Sequence, residues 1–398
     1  MKTILIIGGD NGGGSAGDEI MCEAACDFFI KSGFYVVTDA QTESWKSPVP
    51  NVNVVKQIRK DDYKNLITRF LKSILKMYRI FLLPLVIRKK YNIPLLLHGN
   101  KFKNTMQHVD VVLFAGCGGI TDKYLVNVLA WWSIIRSAQR LNVPVYMSGI
   151  GVGPLNNKIL RFFVRRFIHI PKYITLRDSV MSEHIVNELG RCKNLIVVPD
   201  DAYFYEVGGE TKKQVEELLL TLDTSKKNIG INVMSRIFSN EAKIDLFVTM
   251  LREVFPNDFF NLIFVAVTQE DVHILLKIQH KLKYGCVVDK KSPSYIKSLI
   301  GKMYLMISAR YHGCVFGVCG NVPTIGLYGE EYWKNKIIGA LSFTGSEDYA
   351  YPINTLSLYP VVSKIFDNYD DIKNKIRDLN ENLKQSAFFI HHLIVKEV

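Results

Sequence analysis

Short apolar runs alternate with segments of helical period along almost the whole chain, and this alternation sets the expected fold class. Residues 3–9, Thr-Ile-Leu-Ile-Ile-Gly-Gly, read as a buried strand. A glycine-rich loop follows, and 21–33 reads as a helix stopped at Gly33. Strands are predicted at Phe34–Ala40 and Val52–Val55, then from Val109 into a glycine turn that leads to a helix carrying Trp131 and Trp132. Val143–Leu155 and Tyr173–Gly190 repeat the strand–turn–helix unit, with a basic aromatic helix over Lys158–Lys172 between them, and Leu195–Tyr205 closes this half. The pattern restarts near Lys226. Strands at 227–232, 262–268 and 286–289 alternate with helices at about Glu241–Val254, 270–282 and 292–302. Met303–Ile307 and Val322–Leu327 are two further apolar strands, separated by Arg310-Tyr311-His312-Gly313 and a small-residue helix.

Alternation on this scale predicts parallel sheets covered by helices on both faces. At 398 residues the chain is long for one core. The fold class is therefore α/β, with two Rossmann-like domains and a cleft between them. The expected boundaries are 1–207 for the first domain, 214–345 for the second and 346–398 for a helical tail, with a linker at Glu206–Lys213.

Charge changes the picture in one place. Lys and Arg total 50 against 38 Asp and Glu, a net charge of +12, which favours anionic partners. The segment Ile58–Tyr91, within a basic helical insert at about 58–93, carries ten Lys/Arg and only two Asp. Its apolar positions fit one helical face, as in a helix lying on a core or on an anionic bilayer. The seven cysteines have neither disulfide-framework nor zinc spacing. The opening apolar run is too short for a signal peptide and no run reaches membrane-span length, so a cytoplasmic location is expected.

Candidate chemistry gathers where predicted strands end, the place where open α/β sheets bind ligands. The first loop is neither GxGxxG nor a phosphate-binding P-loop, so neither NAD nor ATP is assigned. Its polar groups are Asn11 and Asp18, the latter also a candidate helix N-cap. Later strand ends carry Gly118, Gly119 and Asp122, then Gly151, then Arg177 and Asp178, then Asp200 and Asp201. Arg310 and His312, two residues apart, would reach the same side if the backbone stays extended. The bland reading is that Arg310 pairs with a carboxylate and His312 caps a helix. The remaining histidines show no ligand spacing, so no metal is expected.

Six segments in order then carry a resemblance. They are the turn ending Gly17-Asp18, Val109–Gly119 with Asp122, Ser148–Pro154, Leu176-Arg177-Asp178-Ser179, Val198-Pro199-Asp200, and Ser308–Gly313. With Val322-Pro323-Thr324 and Tyr332–Lys336, the chain from about residue 4 to about 339 resembles the polysaccharide pyruvyl transferase family. Cys117 interrupts a turn that more often has three glycines, Asp201 stands where proline is common, and the insert at 58–93 falls outside the family pattern.

The resemblance implies a GT-B-type arrangement and the transfer of pyruvate from phosphoenolpyruvate onto two hydroxyls of a sugar, forming a cyclic ketal in cell-surface polysaccharide synthesis. It implies a glycan acceptor and no cofactor beyond the donor. The basic helices near 58–91 and 158–172 would hold the enzyme near a lipid-linked oligosaccharide at the inner membrane face. Such a donor calls for arginine forks, a general acid and a proton acceptor. His312, Arg310 and Asp18 are the expected catalytic groups. Arg177, Asn11, Gly118, Gly119, Asp122, Gly151, Gly313 and Lys336 are the expected substrate-binding groups. Two rivals share the basic composition: a GT-B glycosyltransferase using a sugar nucleotide, and a binder of nucleic acid or membrane surface, with nucleic acid the less favoured partner.

Overall fold

Along the first strand, β1 (Thr3–Gly8), alternate side chains feed two different cores. Ile4 and Ile6 pack with Cys22 and Phe29, while Leu5 and Ile7 pack with Trp131 and Ile134. Such two-sided burial is what an all-parallel sheet requires. The computed structural model describes the chain except residues 10, 12, 41–44, 57–99, 191, 193, 239, 290 and 354–357. The basic insert expected at about 58–93 therefore lies outside the described residues.

The first sheet adds β2 (Tyr35–Ala40), β3 (Asn53–Lys56), β4 (Val111–Ile120), β5 (Val145–Val152), β6 (Tyr173–Leu176) and β7 (Leu195–Val197). Its order is β3-β2-β1-β4-β5-β6-β7, every pair parallel. Its described helices are α1 (Ala16–Lys31), α2 (Asn100–His108), α3 (Leu125–Arg140), α4 (Lys158–Phe167) and α5 (His184–Leu189). After α6 (Gly209–Leu220) the second sheet runs β10-β9-β8-β11-β12-β13, again parallel throughout. These strands are β8 (Lys227–Asn232), β9 (Phe260–Val265), β10 (Cys286–Val288), β11 (Leu305–Ser308), β12 (Thr324–Tyr328) and β13 (Ala350–Pro352). Between them lie α7 (Glu241–Val254), α8 (Val272–Leu282), α9 (Pro293–Ile300), α10 (Tyr311–Cys319) and α11 (Glu331–Ser342). The chain ends in α12 (Tyr359–Asp367), α13 (Tyr369–Ala387) and α14 (Phe389–Glu397).

Strand order reverses between β1 and β4 in one sheet and between β8 and β11 in the other. Each reversal opens a crevice at the carboxyl ends. The two ends face each other: Ala16 donates its N–H to the Val267 carbonyl at 3.1 Å, and Gln269 donates to that of Gly14 at 3.2 Å. Helix α1 fills the seam. Its residues Ala16, Ile20, Met21 and Ala24 join the core of the second domain, while Cys22, Ala25 and Phe29 serve the first. A helix held on both sides has little solvated face, and even Glu23 of α1 is buried.

The expected tail is not a separate unit. β13 extends the second sheet past residue 345, and α12 joins that domain's core through Val361, Val362 and Ile365. α14 returns to the first domain, where Ile390 and Ile394 pack with Ile4 and Ile6. Tyr146 donates to Glu397 at 2.6 Å, and Lys172 pairs with the same carboxylate at 3.1 Å. Asp201 explains itself here: it accepts from the Ser148 hydroxyl at 2.5 Å and stands 3.6 Å from His391 of α14. Burial pushes the Asp201 carboxyl up and pulls His391 down to about 3, so burial disfavours the charged form of both groups. Among the described residues, no helix is long and apolar enough to cross a membrane.

Candidate active site

Helix α1 starts at Ser15, whose hydroxyl caps it and donates to the Asp18 carboxylate at 3.0 Å. Asp18 is thus the acid of the first turn and not the N-cap, in a variant of the capping box. Gly17, beside it, is required by a close approach. A β-carbon there would fall 1.8 Å from the His312 ring, so only glycine lets the first domain lie against that imidazole.

Arg177 follows β6 and is buried. It crosses two glycines of neighbouring strand ends: a β-carbon at Gly118 would meet its Nη2 at 2.6 Å, and one at Gly151 its Nε at 2.7 Å. Its guanidinium carbon sits 4.1 Å from the centre of the Tyr311 ring, a cation–π contact across the domain boundary. Its Nη1 is buried without a hydrogen-bond partner. Lys336, from α11, comes in from the second domain, and its Nζ would lie 3.1 Å from a β-carbon on Gly118. Burial, and then the nearby Arg177, bring its ammonium down to about 7.

His312 stands in the first turn of α10 with its Nε2 3.6 Å from Asp200 Oδ2. Both of those atoms are buried and neither has a hydrogen-bond partner. Burial lowers the imidazole below its usual 6.5, with Asp200 and Asp18 pulling the other way and Arg177 and Lys336 adding to the fall. Arg177, Lys336, His312, Asp200 and Asp18 therefore act on one another as a single group. Buried donors without partners are rare in native proteins and mark a place where something else supplies the acceptor. Here the donors are cationic or can become so, and an anion suits them.

Several expected residues are committed elsewhere. Arg310 donates through Nε and Nη2 to the fully buried Asp271, at 2.6–3.2 Å, with Glu270 at 3.4 Å. Asp271 also accepts from Asn232 at 3.1 Å, so this set braces the ends of β8, β9 and β11. The bland reading of Arg310 holds, and the shared side with His312 does not. Arg310 is extended, but Tyr311 already begins the helix, which turns position 312 away from 310. Arg310→Met should lower stability by about 3–5 kcal/mol, because Asp271 would keep a buried charge without its partner. Thermal unfolding measures it, and Arg310→Met with Asp271→Asn should recover much of the loss.

Asp122 accepts from the backbone N–H groups of Asn156 and Asn157 at 2.6 and 3.1 Å, which makes it a loop brace. Asn11 gives its amide to the Asp39 carbonyl at 2.7 Å, tying the ends of β1 and β2. Gly119 faces Cys117, Asn127 and Trp131 within its own domain, and Gly313 admits the Ser308 hydroxyl. Asp178 accepts from the N–H groups of Met181 and Ser182, both at 2.8 Å, and caps the turn after β6. Sequence reasoning named Asp200 only as a strand-end acid and gave Tyr311 no role in the site. The signal was present in Arg310-Tyr311-His312 and in a strand end at Val198-Pro199-Asp200.

Two parallel-sheet α/β domains meeting at their strand ends, with a cationic cluster between them, define an enzyme fold of the GT-B type. A family model described as polysaccharide pyruvyl transferase matches residues 16–331, and the chain belongs to that family. The protein is accordingly a transferase. No curated protein matches the sequence significantly. Among solved structures, the chain is similar to the UDP-GlcNAc 2-epimerase of Neisseria meningitidis bound to UDP-GlcNAc, at 10% identity and TM-score 0.58, covering 100% of both chains. It is also similar to a glycosyltransferase of Rickettsia africae, at 14% identity and TM-score 0.59, covering 100% of this chain and 98% of that one. Anabaena HepE in complex with UDP and glucose shares 10% identity at TM-score 0.56, covering 100% of this chain and 99% of the other. These likenesses concern the fold.

Proposed function

We propose that this enzyme moves pyruvate from phosphoenolpyruvate onto two hydroxyls of a glycan sugar, closing a cyclic ketal and releasing phosphate. The observation that carries the reading is the convergence of Arg177, Lys336 and His312 between the two crevices, with Arg177 Nη1 and His312 Nε2 buried and unpartnered. A small donor with a phosphate and a carboxylate offers acceptors on both sides of its reacting carbon. Arg177 holds one anionic group with a planar fork, and Lys336 adds a point charge.

Protonation of the donor's methylene carbon by His312 makes C2 electrophilic. The first sugar hydroxyl adds there, the C2–O bond to phosphate breaks, and the second hydroxyl closes the ring. Of the two hydroxyl protons, one balances the new methyl group and the other leaves with phosphate. Asp18, half-buried beside His312, is the acceptor for a hydroxyl proton, and Asp200 orients the imidazole. The acceptor is a glycan, and a lipid-linked oligosaccharide fits a polysaccharide assembly line.

The test is phosphate release from phosphoenolpyruvate in the presence of a sugar diol, with the ketal methyl group followed by NMR. Acceptor-dependent release of nucleotide from a sugar nucleotide, with no phosphate from phosphoenolpyruvate, would support the glycosyltransferase reading instead.

A further inference from the structure

Helix α4 has an outer face that no described residue of its own domain covers. Leu160, Val164 and Phe167 point into the core, and the helix is capped by Asn157, which accepts from the N–H groups of Ile159 and Leu160. Opposite them, Lys158, Ile159, Phe162, Arg165 and Arg166 fall at helical spacings on one side. Ile159 is 65% exposed and Phe162 52% exposed. Scattered surface apolar residues need no explanation, but these two are flanked by cations. The Arg166 guanidinium lies 4.4 Å from the Phe162 ring centre, and Phe162 in turn meets Phe163 at 5.7 Å. Among the described residues, no carboxylate pairs with Lys158, Arg165 or Arg166.

A second exposed segment belongs to the same end of the domain. Tyr124 and Leu125, 43% and 49% exposed, open α3 directly after Asp122, whose carboxylate holds the backbone of Asn156 and Asn157 just ahead of α4. The same loop begins at β5, where Gly151 lies against Arg177. The patch is therefore joined to the cleft by a few residues of braced backbone. Arg165 donates to the Leu189 carbonyl at 3.2 Å, but no described carboxylate neutralises this row of cations. Apolar side chains projecting from such a row are the mark of a helix lying in the interface of an anionic bilayer. A nucleic-acid surface would match the cations but leave Ile159 and Phe162 unexplained.

We propose that the outer face of α4, with the turn at Tyr124 and Leu125, seats the first domain on an anionic membrane surface, with Ile159 and Phe162 entering the headgroup boundary. The mouth of the cleft then lies at the level of the lipid headgroups. This inference does not depend on the donor.

Co-sedimentation of the full chain with vesicles of phosphatidylcholine, with and without phosphatidylglycerol, tests it. The wild-type chain should pellet with the anionic vesicles and much less with the neutral ones. Ile159→Ser with Phe162→Ser should lower the partition coefficient by at least about tenfold, and so should Lys158→Glu with Arg166→Glu. Thermal unfolding and turnover of a water-soluble acceptor should stay as in the wild type for the apolar pair. A wild-type chain that remains in the supernatant overturns the proposal. So does undiminished binding by the apolar pair, whether an oligonucleotide competes it away or Lys/Arg→Glu changes in residues 58–91 abolish it.

Discussion

Replacing Arg177 with lysine should raise KM for phosphoenolpyruvate and lower kcat/KM by about 2–4 kcal/mol, roughly 30- to 1,000-fold. Lysine keeps the charge but loses the planar fork that grips two oxygens of one anion. The side chain has no room to compensate, because Gly118 and Gly151 bring two strand ends against its guanidinium. Gly151→Ala supplies a second arm: its β-carbon would displace Nε and should impair donor binding while Arg177 remains. Steady-state kinetics with a soluble acceptor and thermal unfolding separate the outcomes. Kinetics within threefold of wild type, with a lowered Tm, would reduce Arg177 to an interdomain brace over Tyr311.

How far the sequence reached is clearest at individual residues. Strands such as β1, β4 and β5 were legible because parallel strands buried on both faces are unbroken apolar runs, and the glycines after them announce close backbone approaches. Gly118, Gly151, Arg177 and His312 lie near strand ends and a helix start, where sequence reasoning looked for chemistry, while Lys336 sits inside α11 and was expected only from the family resemblance. The role of Arg310 was not legible. Nothing in Arg310-Tyr311-His312 says where a helix begins, and one residue of helical backbone decides whether 310 and 312 share a side. Nor does sequence show that Asp271, far along the chain, is the partner Arg310 answers. Asp122 and Asp178 were legible as loop acids but not as braces, since a carboxylate receiving two backbone N–H groups has the same sequence signature as one that meets a ligand. The helices expected in the tail are present, but where they pack was not legible: α14 is short, and only three-dimensional packing shows that Ile390 and Ile394 complete the first domain's core.

His312→Gln should lower kcat by about 10²–10⁴-fold, the range a positioned general acid supplies. Its pH behaviour carries the argument further. A general acid works in its protonated form, and burial holds His312 below 6.5. The wild-type kcat/KM should therefore fall as pH rises through that depressed value, and fall again through about 7 as Lys336 loses its charge. Bound phosphate, a dianion beside both groups, raises both titrations, so the same limbs in kcat should lie at higher pH. His312→Gln should remove the lower step and keep the one near 7, and Lys336→Met should do the reverse. Stability has a definite sign for both groups. Each binds its proton more tightly when unfolded, so stability rises with pH below 6.5 for His312, and between about 7 and 10.5 for Lys336. Lys336→Met should thus raise Tm at pH 6, where the native chain holds a charged ammonium away from water, while weakening donor binding. A rise in Tm with a loss of turnover would show that the cleft keeps its cations for a ligand and against its own stability. A fall in both would return Lys336 to a structural role, and an unchanged profile in His312→Gln would leave the proton source to another group.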